Sequence, residues 1–157
     1  PTNADLGTMA YQNYDPVSFQ VSLSSAQQVP TASHTTILYD NVVWDTHGNY
    51  TPSTGRYTIT QAGIYNFGAS IRMDQTGNCR KIWGIYKNQT QYARLQEIAA
   101  SFTSGDQKFT GHVLVPCSQG DEIEVRMWVS HADDFASQGD FTFFEGHMIH
   151  PVVKGVS

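Results

Sequence analysis

Apolar and polar residues alternate without a fault along Val17-Ser18-Phe19-Gln20-Val21-Ser22-Leu23, as a strand with one buried face requires. The same period returns at Tyr65, Phe67, Ala69 and Ile71 after Gly63 restarts the chain. It returns again at Ile123, Val125, Met127 and Val129, which alternate with Glu122, Glu124, Arg126 and Trp128. Each set predicts a strand whose apolar members point into a core. Shorter strands are expected at Ile37 to Tyr39 and at Arg56 to Thr60. A hairpin is expected to join Gln107 to Val115 with Glu122 to Ser130 around Ser118-Gln119-Gly120-Asp121, where the glycine supplies a positive φ. Ile82 to Lys87 is apolar at consecutive positions, which suits a strand covered on both faces by a second sheet or another subunit. Pro1 to Pro16 has no sustained period and reads as an arm or linker to a longer chain, leaving residues 17–157 as one folded domain. Ser24 to Thr36 and Asp45 to Gly55 lack such periodicity and read as surface connections.

One segment conflicts with this picture. Tyr92, Leu95, Ile98, Ala99 and Phe102 are spaced by three and four residues, the period of an amphipathic helix. The turn punctuation of the rest of the chain points to an all-β domain, and strand is the reading adopted. Short strands separated by frequent turn signals predict a sandwich rather than a βαβ arrangement.

Composition narrows the function more than the fold. With 157 residues, 39% hydrophobic, 15% charged and a formal net charge of −5, the chain has one domain's worth of core and no apolar run long enough to span a bilayer. Nine Lys and Arg residues in total argue against a nucleic-acid partner, since phosphate binding relies on clustered cations. Cys79 and Cys117 read as free buried thiols, with one disulfide as the alternative. Asn49-Tyr50-Thr51 and Asn88-Gln89-Thr90 fit the N-glycosylation triplet, which matters only in a eukaryotic secretory pathway.

The run from Gly48 to Phe67 orders a glycine, Tyr50, a Pro52-containing turn closed by Gly55, an aromatic-threonine strand at Tyr57-Thr58, and Gly63 followed by Tyr65-Asn66-Phe67. It resembles the signature of the C1q domain family. Three further segments match in order: Ile82 to Asn88, Val113 to Val129 with Gly120-Asp121, and Phe144-Glu145-Gly146-His147-Met148-Ile149-His150-Pro151. The resemblance covers about Val17 to Pro151 and implies an all-β, ten-stranded antiparallel jelly roll shared with tumour necrosis factor, with a strand at residues 92–102. It also implies a tight homotrimer. The two-faced apolar strands independently call for a second buried surface, and Trp83, Ile85, Trp128 and Phe143 are the residues expected to form it.

Catalytic chemistry is not apparent. His147 and His150 are the closest histidine pair, but residues three apart on a strand point to opposite faces and cannot share an ion without a bulge. The chain has no His-x-His, no Gly-x-Ser-x-Gly elbow and no glycine-rich phosphate loop. No enzyme activity and no cofactor are expected, with Ca²⁺ at Asp133, Asp134 and Asp140 as the one ion to consider. Polar loops carry the recognition surface instead: Arg72, Asp74 and Asn78 in the first, and His131, Asp133, Asp134, Phe135 and Asp140 in the second. Both loops are longer than in the animal pattern.

Asn3-Ala4-Asp5-Leu6-Gly7-Thr8-Met9-Ala10-Tyr11-Gln12-Asn13 resembles a phrase of bacteriophage tail-fibre and virion structural proteins. The two resemblances together imply a trimeric knob of a tail or head fibre at the virion surface. Its arm would join other virion proteins, and its loops would bind a host-surface glycan or outer-membrane protein. A capsid decoration protein and an extracellular C1q-type recognition or signalling domain are the alternatives.

Overall fold

In the computed structural model, residues 15–74, 76–103, 107–131, 133–134 and 141–151 are described. Their thirteen strands are β1 (Ser18–Ser22), β2 (Gln28–Val29), β3 (Thr35–Thr36), β4 (Asn41–Asp45), β5 (Tyr50–Thr51), β6 (Arg56–Thr58), β7 (Gly63–Met73), β8 (Gly77–Lys87), β9 (Thr90–Phe102), β10 (Gln107–Cys117), β11 (Glu122–Val129), β12 (Asp133–Asp134) and β13 (Phe143–Pro151). Two antiparallel sheets form the sandwich. The first runs β10-β7-β13-β1-β4 and the second β5-β6-β11-β8-β9, with β3 also on β11 and a small β12-β2 pair apart.

The alternating sets fill the space between the sheets as the sequence predicts. Val17, Phe19, Val21 and Leu23 meet Tyr65, Phe67, Ala69 and Ile71 from the first sheet, and Ile123, Val125, Met127 and Val129 from the second, all at 3% exposure or less. Phe19 couples the two sheets. Its ring stacks on Tyr57 of β6 at 4.0 Å between centroids and meets Phe144 edge-on at 4.9 Å, the offset and T-shaped geometries that aromatic quadrupoles prefer. Gly146 leaves room for this: a Cβ there would lie 2.6 Å from a Phe67 ring carbon and 2.7 Å from one of Phe19.

The residues 92–102 are strand, and the reason for their helical spacing is visible in the register. Ile98, Ala100 and Phe102 lie opposite Lys81, Cys79 and Gly77, while Tyr92 and Leu95 have no partner on β8 because a bulge absorbs each of them. Two extra residues convert strict alternation into intervals of three and four. The turn into β9 is Asn88-Gln89, both with positive φ, and Asn88 holds it by donating to Asp121 Oδ1 at 2.8 Å.

Other expectations are corrected, the hairpin first: β10 pairs with β7 in the first sheet and β11 with β6 and β8 in the second, so the turn at Gly120 crosses between sheets. Ile37 to Tyr39 is not a strand, although Ile37 and Tyr39 are both fully buried. The presumed connection at 24–36 contains β2 and β3, with Val29 fully buried, and the turn-rich segment at 45–55 contains β5. A bulge between Met148 and His150 places His147 opposite Asn66 and His150 opposite Ile64, so these two histidines share the outward face of the first sheet rather than facing apart. Lys81 is the least expected core residue: it is 1% exposed, and its ammonium donates to Gln107 Oε1 at 2.7 Å and lies 4.8 Å from the Phe102 ring centre.

Candidate functional site

The second sheet opens at one end into a groove of about 470 Å³ lined by Asn78, Cys79, Arg80, Ala99, Ala100, Ser101, Ser130 and His131. Pairing of β8 with β9 builds two walls, setting Asn78 against Ser101, Cys79 against Ala100 and Arg80 against Ala99. The chain leaving β11 adds the third, fixed by the Ser130 amide donating to the Arg80 carbonyl at 2.9 Å. Ser130 Oγ in turn accepts from the Arg80 amide at 2.9 Å and lies 3.5 Å from Cys79 Sγ and 3.2 Å from His131 Nδ1.

At the groove one carboxylate is shared between two guanidiniums. The Arg80 guanidinium donates through Nε to Glu97 at 2.8 Å, and Arg94 pairs with the same carboxylate. The hydrogen bond from Arg80, then that from Arg94, holds the Glu97 carboxyl below the ordinary range. The Arg80 guanidinium also stands 5.9 Å from the Trp128 ring centre. Cys117 lies elsewhere in the core, where burial pushes its thiol up to about 11. The two cysteines are free.

The structure brings two of the sequence-predicted recognition residues, Asn78 and His131, into this one groove. Arg72 and Asp74 lie outside its lining and form an ion pair at 3.4 Å, with Phe141 under the Arg72 guanidinium at 5.0 Å. Asp133 and Asp134 form β12 against β2, while Phe135 and Asp140 lie outside the described residues. No three His, Cys, Asp or Glu side chains converge on a metal-sized point among the described residues. Ala99, Ser101 and Ser130 are the residues that sequence reasoning missed as a group. Nothing local marks them, because it is the β8-β9 pairing that makes residues about twenty positions apart neighbours.

The expected subunit contacts divide in the same way. Trp83 and Ile85 are 2% and 0% exposed within a single chain, so they belong to its own core and not to a face that a second copy could cover. This corrects their assignment: the second cover on β8 comes from the facing sheet and from side chains such as Arg126, which lies 4.9 Å from the Tyr86 ring centre. Trp128 and Phe143 are half-buried. Among the described residues the large apolar ones left exposed are Leu38, Val42, Val43, Trp44, Tyr92, Leu114 and Ile149. Trp44 pairs with Gln20, and Leu114 with Asn66, on the outward face of the first sheet.

The groove supplies hydrogen-bond donors and acceptors over a floor of small side chains. Ser130 Oγ and His131 Nδ1 lie within hydrogen-bond distance, and among the described residues no carboxylate is paired with His131.

Comparison with known proteins agrees with this architecture. The chain is 23% identical over 137 residues to the uncharacterised Bacillus subtilis (strain 168) protein YqcC, covering 80% of this chain and 37% of that one. It is 23% identical over 155 residues to the phage-like element PBSX protein XkdV of the same strain, covering 90% of this chain and 23% of that one. The chain thus spans well under half the length of either relative. Among solved structures it is similar to the globular domain of zebrafish complement 1qA (TM-score 0.55, 15% identity, 86% of this chain and 98% of that one). It is also similar to the Eiger TNF of S. frugiperda (0.64, 14%, 92% and 99%) and to murine APRIL (0.62, 12%, 85% and 99%). The C1q domain family model matches residues 18–149, most of the two-sheet jelly roll described above, and the chain belongs to the C1q domain family.

Proposed function

We propose that this C1q-family domain is a non-enzymatic homotrimeric knob of a phage virion appendage, a tail or head fibre. In this reading it trimerises the fibre and binds a host-cell surface receptor, a glycan or an outer-membrane protein. The observation that carries the proposal is the match of 90% of the chain to a part of a phage-like element protein. Residues 17–157 are the folded knob, and residues 1–16 are the arm that joins it to other virion proteins.

Self-association is supported by the exposed apolar residues of the first sheet. Trp44, Leu114 and Ile149 are 45, 53 and 52% exposed on this sheet, apolar side chains that a neighbouring copy would take out of water. Covering them with a second and third copy removes that surface. Recognition is supported by the groove at Asn78 and His131, at a sandwich end where loops vary without disturbing the core. Three grooves on one trimer gain from avidity, so weak individual sites suffice.

The test is adsorption of the fluorescently labelled domain to a panel of bacteria that includes Bacillus subtilis, beside light scattering of the same preparation. Binding that competes with phage adsorption supports the receptor-recognising knob. A stable trimer that binds none of the panel moves the reading to a capsid decoration protein, and a stable monomer overturns the trimer.

A further inference from the structure

We infer that the groove between Asn78–Arg80, Ala99–Ser101 and Ser130–His131 is a subsite for a neutral saccharide, one stretch of a host-surface glycan. The inference rests on the receptor-binding reading above and commits that reading to one ligand chemistry.

Hydrogen-bonding capacity is the first observation. Among the described residues the side chains of Asn78 and Ser101 have no hydrogen-bond partner, and His131 uses only Nδ1, leaving Nε2 to a ligand. An amide offers two donors and an acceptor, a serine hydroxyl offers both roles, and an imidazole nitrogen offers one. A sugar hydroxyl, itself donor and acceptor, matches each of these groups.

Charge is the second. Among the described residues no carboxylate lines the groove, and the one guanidinium that does is engaged by Glu97. A charged group on the ligand would meet no unengaged counter-charge among these lining residues, whereas an uncharged polyol needs none. Shape is the third. Ala99, opposite Arg80 and on the same face of β9 as Ser101, keeps the floor low, which lets the C–H face of a sugar ring approach. At about 470 Å³ the groove lies within the ~300–1,000 Å³ of ordinary small-ligand sites. Because it is open rather than enclosed, it suits a passing stretch of polymer.

The experiment titrates the isotope-labelled full chain with maltohexaose, cellohexaose, chitohexaose and the neutral wall polysaccharide of a bacterium that the domain binds, following backbone amide shifts. The expected result is shifts confined to residues 78–80, 99–101 and 130–131, with affinity unchanged by added NaCl. Asn78→Ala and Ser101→Ala should each weaken that binding about tenfold, the loss of roughly one hydrogen bond to an otherwise unpaired partner, while amide shifts elsewhere stay in place. Ser101→Trp, which fills the groove instead of removing a donor, should abolish it. If cells bind but none of the four saccharides shifts these amides, or if Ser101→Trp binds cells as tightly as the unaltered chain, the saccharide subsite is overturned and the receptor reading stands. If no cell binds, the receptor reading is overturned, and the amide shifts with the three hexaoses alone decide the subsite.

Discussion

Arg56 Nε donates to Glu124 Oε2 at 3.1 Å, and this pair locks β6 to β11 on the outward face of the second sheet. Glu124 is only 1% exposed, because Arg56 and Arg126 close over it, and its oxygens also accept from Arg126 Nε at 2.8 Å and Thr36 Oγ1 at 3.0 Å. Arg56 further donates to Glu122 at 3.1 Å. One carboxylate therefore ties three strands, and its removal leaves two guanidiniums side by side.

Glu124→Ala should cost about 2 kcal/mol in urea unfolding, less than the ~3–5 kcal/mol for breaking a fully enclosed pair. The smaller figure follows from Arg56 and Arg126 keeping 24% and 18% of their side-chain surface in water, where they recover solvation. Arg56→Ala should cost less, because Arg126 and Thr36 still satisfy Glu124. An equal loss for both variants would contradict the central role given to the carboxylate.

His34 gives the domain a pH dependence of known sign. Its Nδ1 lies 2.9 Å from the Tyr86 hydroxyl, and desolvation, then Arg126 and Arg94, holds its pKa below 6.5. In the acidic range the unfolded chain thus binds more protons at this position than the folded one, so stability rises with pH. The His34 contribution is complete above about pH 6.5 and is lost as pH falls below that value toward the lower folded pKa. Chemical denaturation at pH 7.5 and pH 5 should show a smaller difference for His34→Gln than for the unaltered chain. An unchanged difference would assign the acid sensitivity to other groups.

Gly84 allows the β8-β9 bulge to close. A Cβ there would lie 2.0 Å from the Ala93 carbonyl oxygen, a backbone atom in the paired edge strand that cannot swing aside as a side-chain tip would. Gly84→Ala should destabilise the domain by about 2–3 kcal/mol, the upper part of the overpacking range. Amide exchange should show the loss concentrated in β9. A variant as stable as the unaltered chain would mean that the bulge shifts register at little cost.

Periodicity made the core legible, and it did so wherever a strand was regular. Phe19, Tyr65, Phe67, Ile123 and Val125 face inward as their alternation requires. It failed where bulges intervene. Tyr92 and Leu95 on β9 mimic a helix because each is an extra residue, and His147 and His150 reach one face because Ile149 is another. Trp83 and Ile85 were misread for a different reason. Consecutive apolar residues say that both faces of a strand are covered, but not whether the cover is the chain's own sheet or a neighbour. The groove was half legible: Asn78 and His131 stand in polar stretches of the sequence, Asn78 on β8 and His131 just after β11, while Ala99 and Ser101 become neighbours of β8 only through pairing.

Leu114 is where the proposed trimer is most exposed to test. It projects from β10, 53% exposed, beside Asn66, whose Oδ1 is buried and has no hydrogen-bond partner among the described residues. A single chain gains little from this leucine, so Leu114→Glu should leave the fold and its cooperative unfolding intact. A neighbouring subunit packed on the same face would have to bury the new carboxylate without a counter-charge, at a cost of several kcal/mol repeated three times around the assembly. Sedimentation should then show monomers for Leu114→Glu where the unaltered chain gives trimers, and Trp44→Glu should weaken the same assembly. Trimers that persist in both variants would move the contact away from the outward face of the first sheet, leaving Leu114 and Trp44 as surface for another partner.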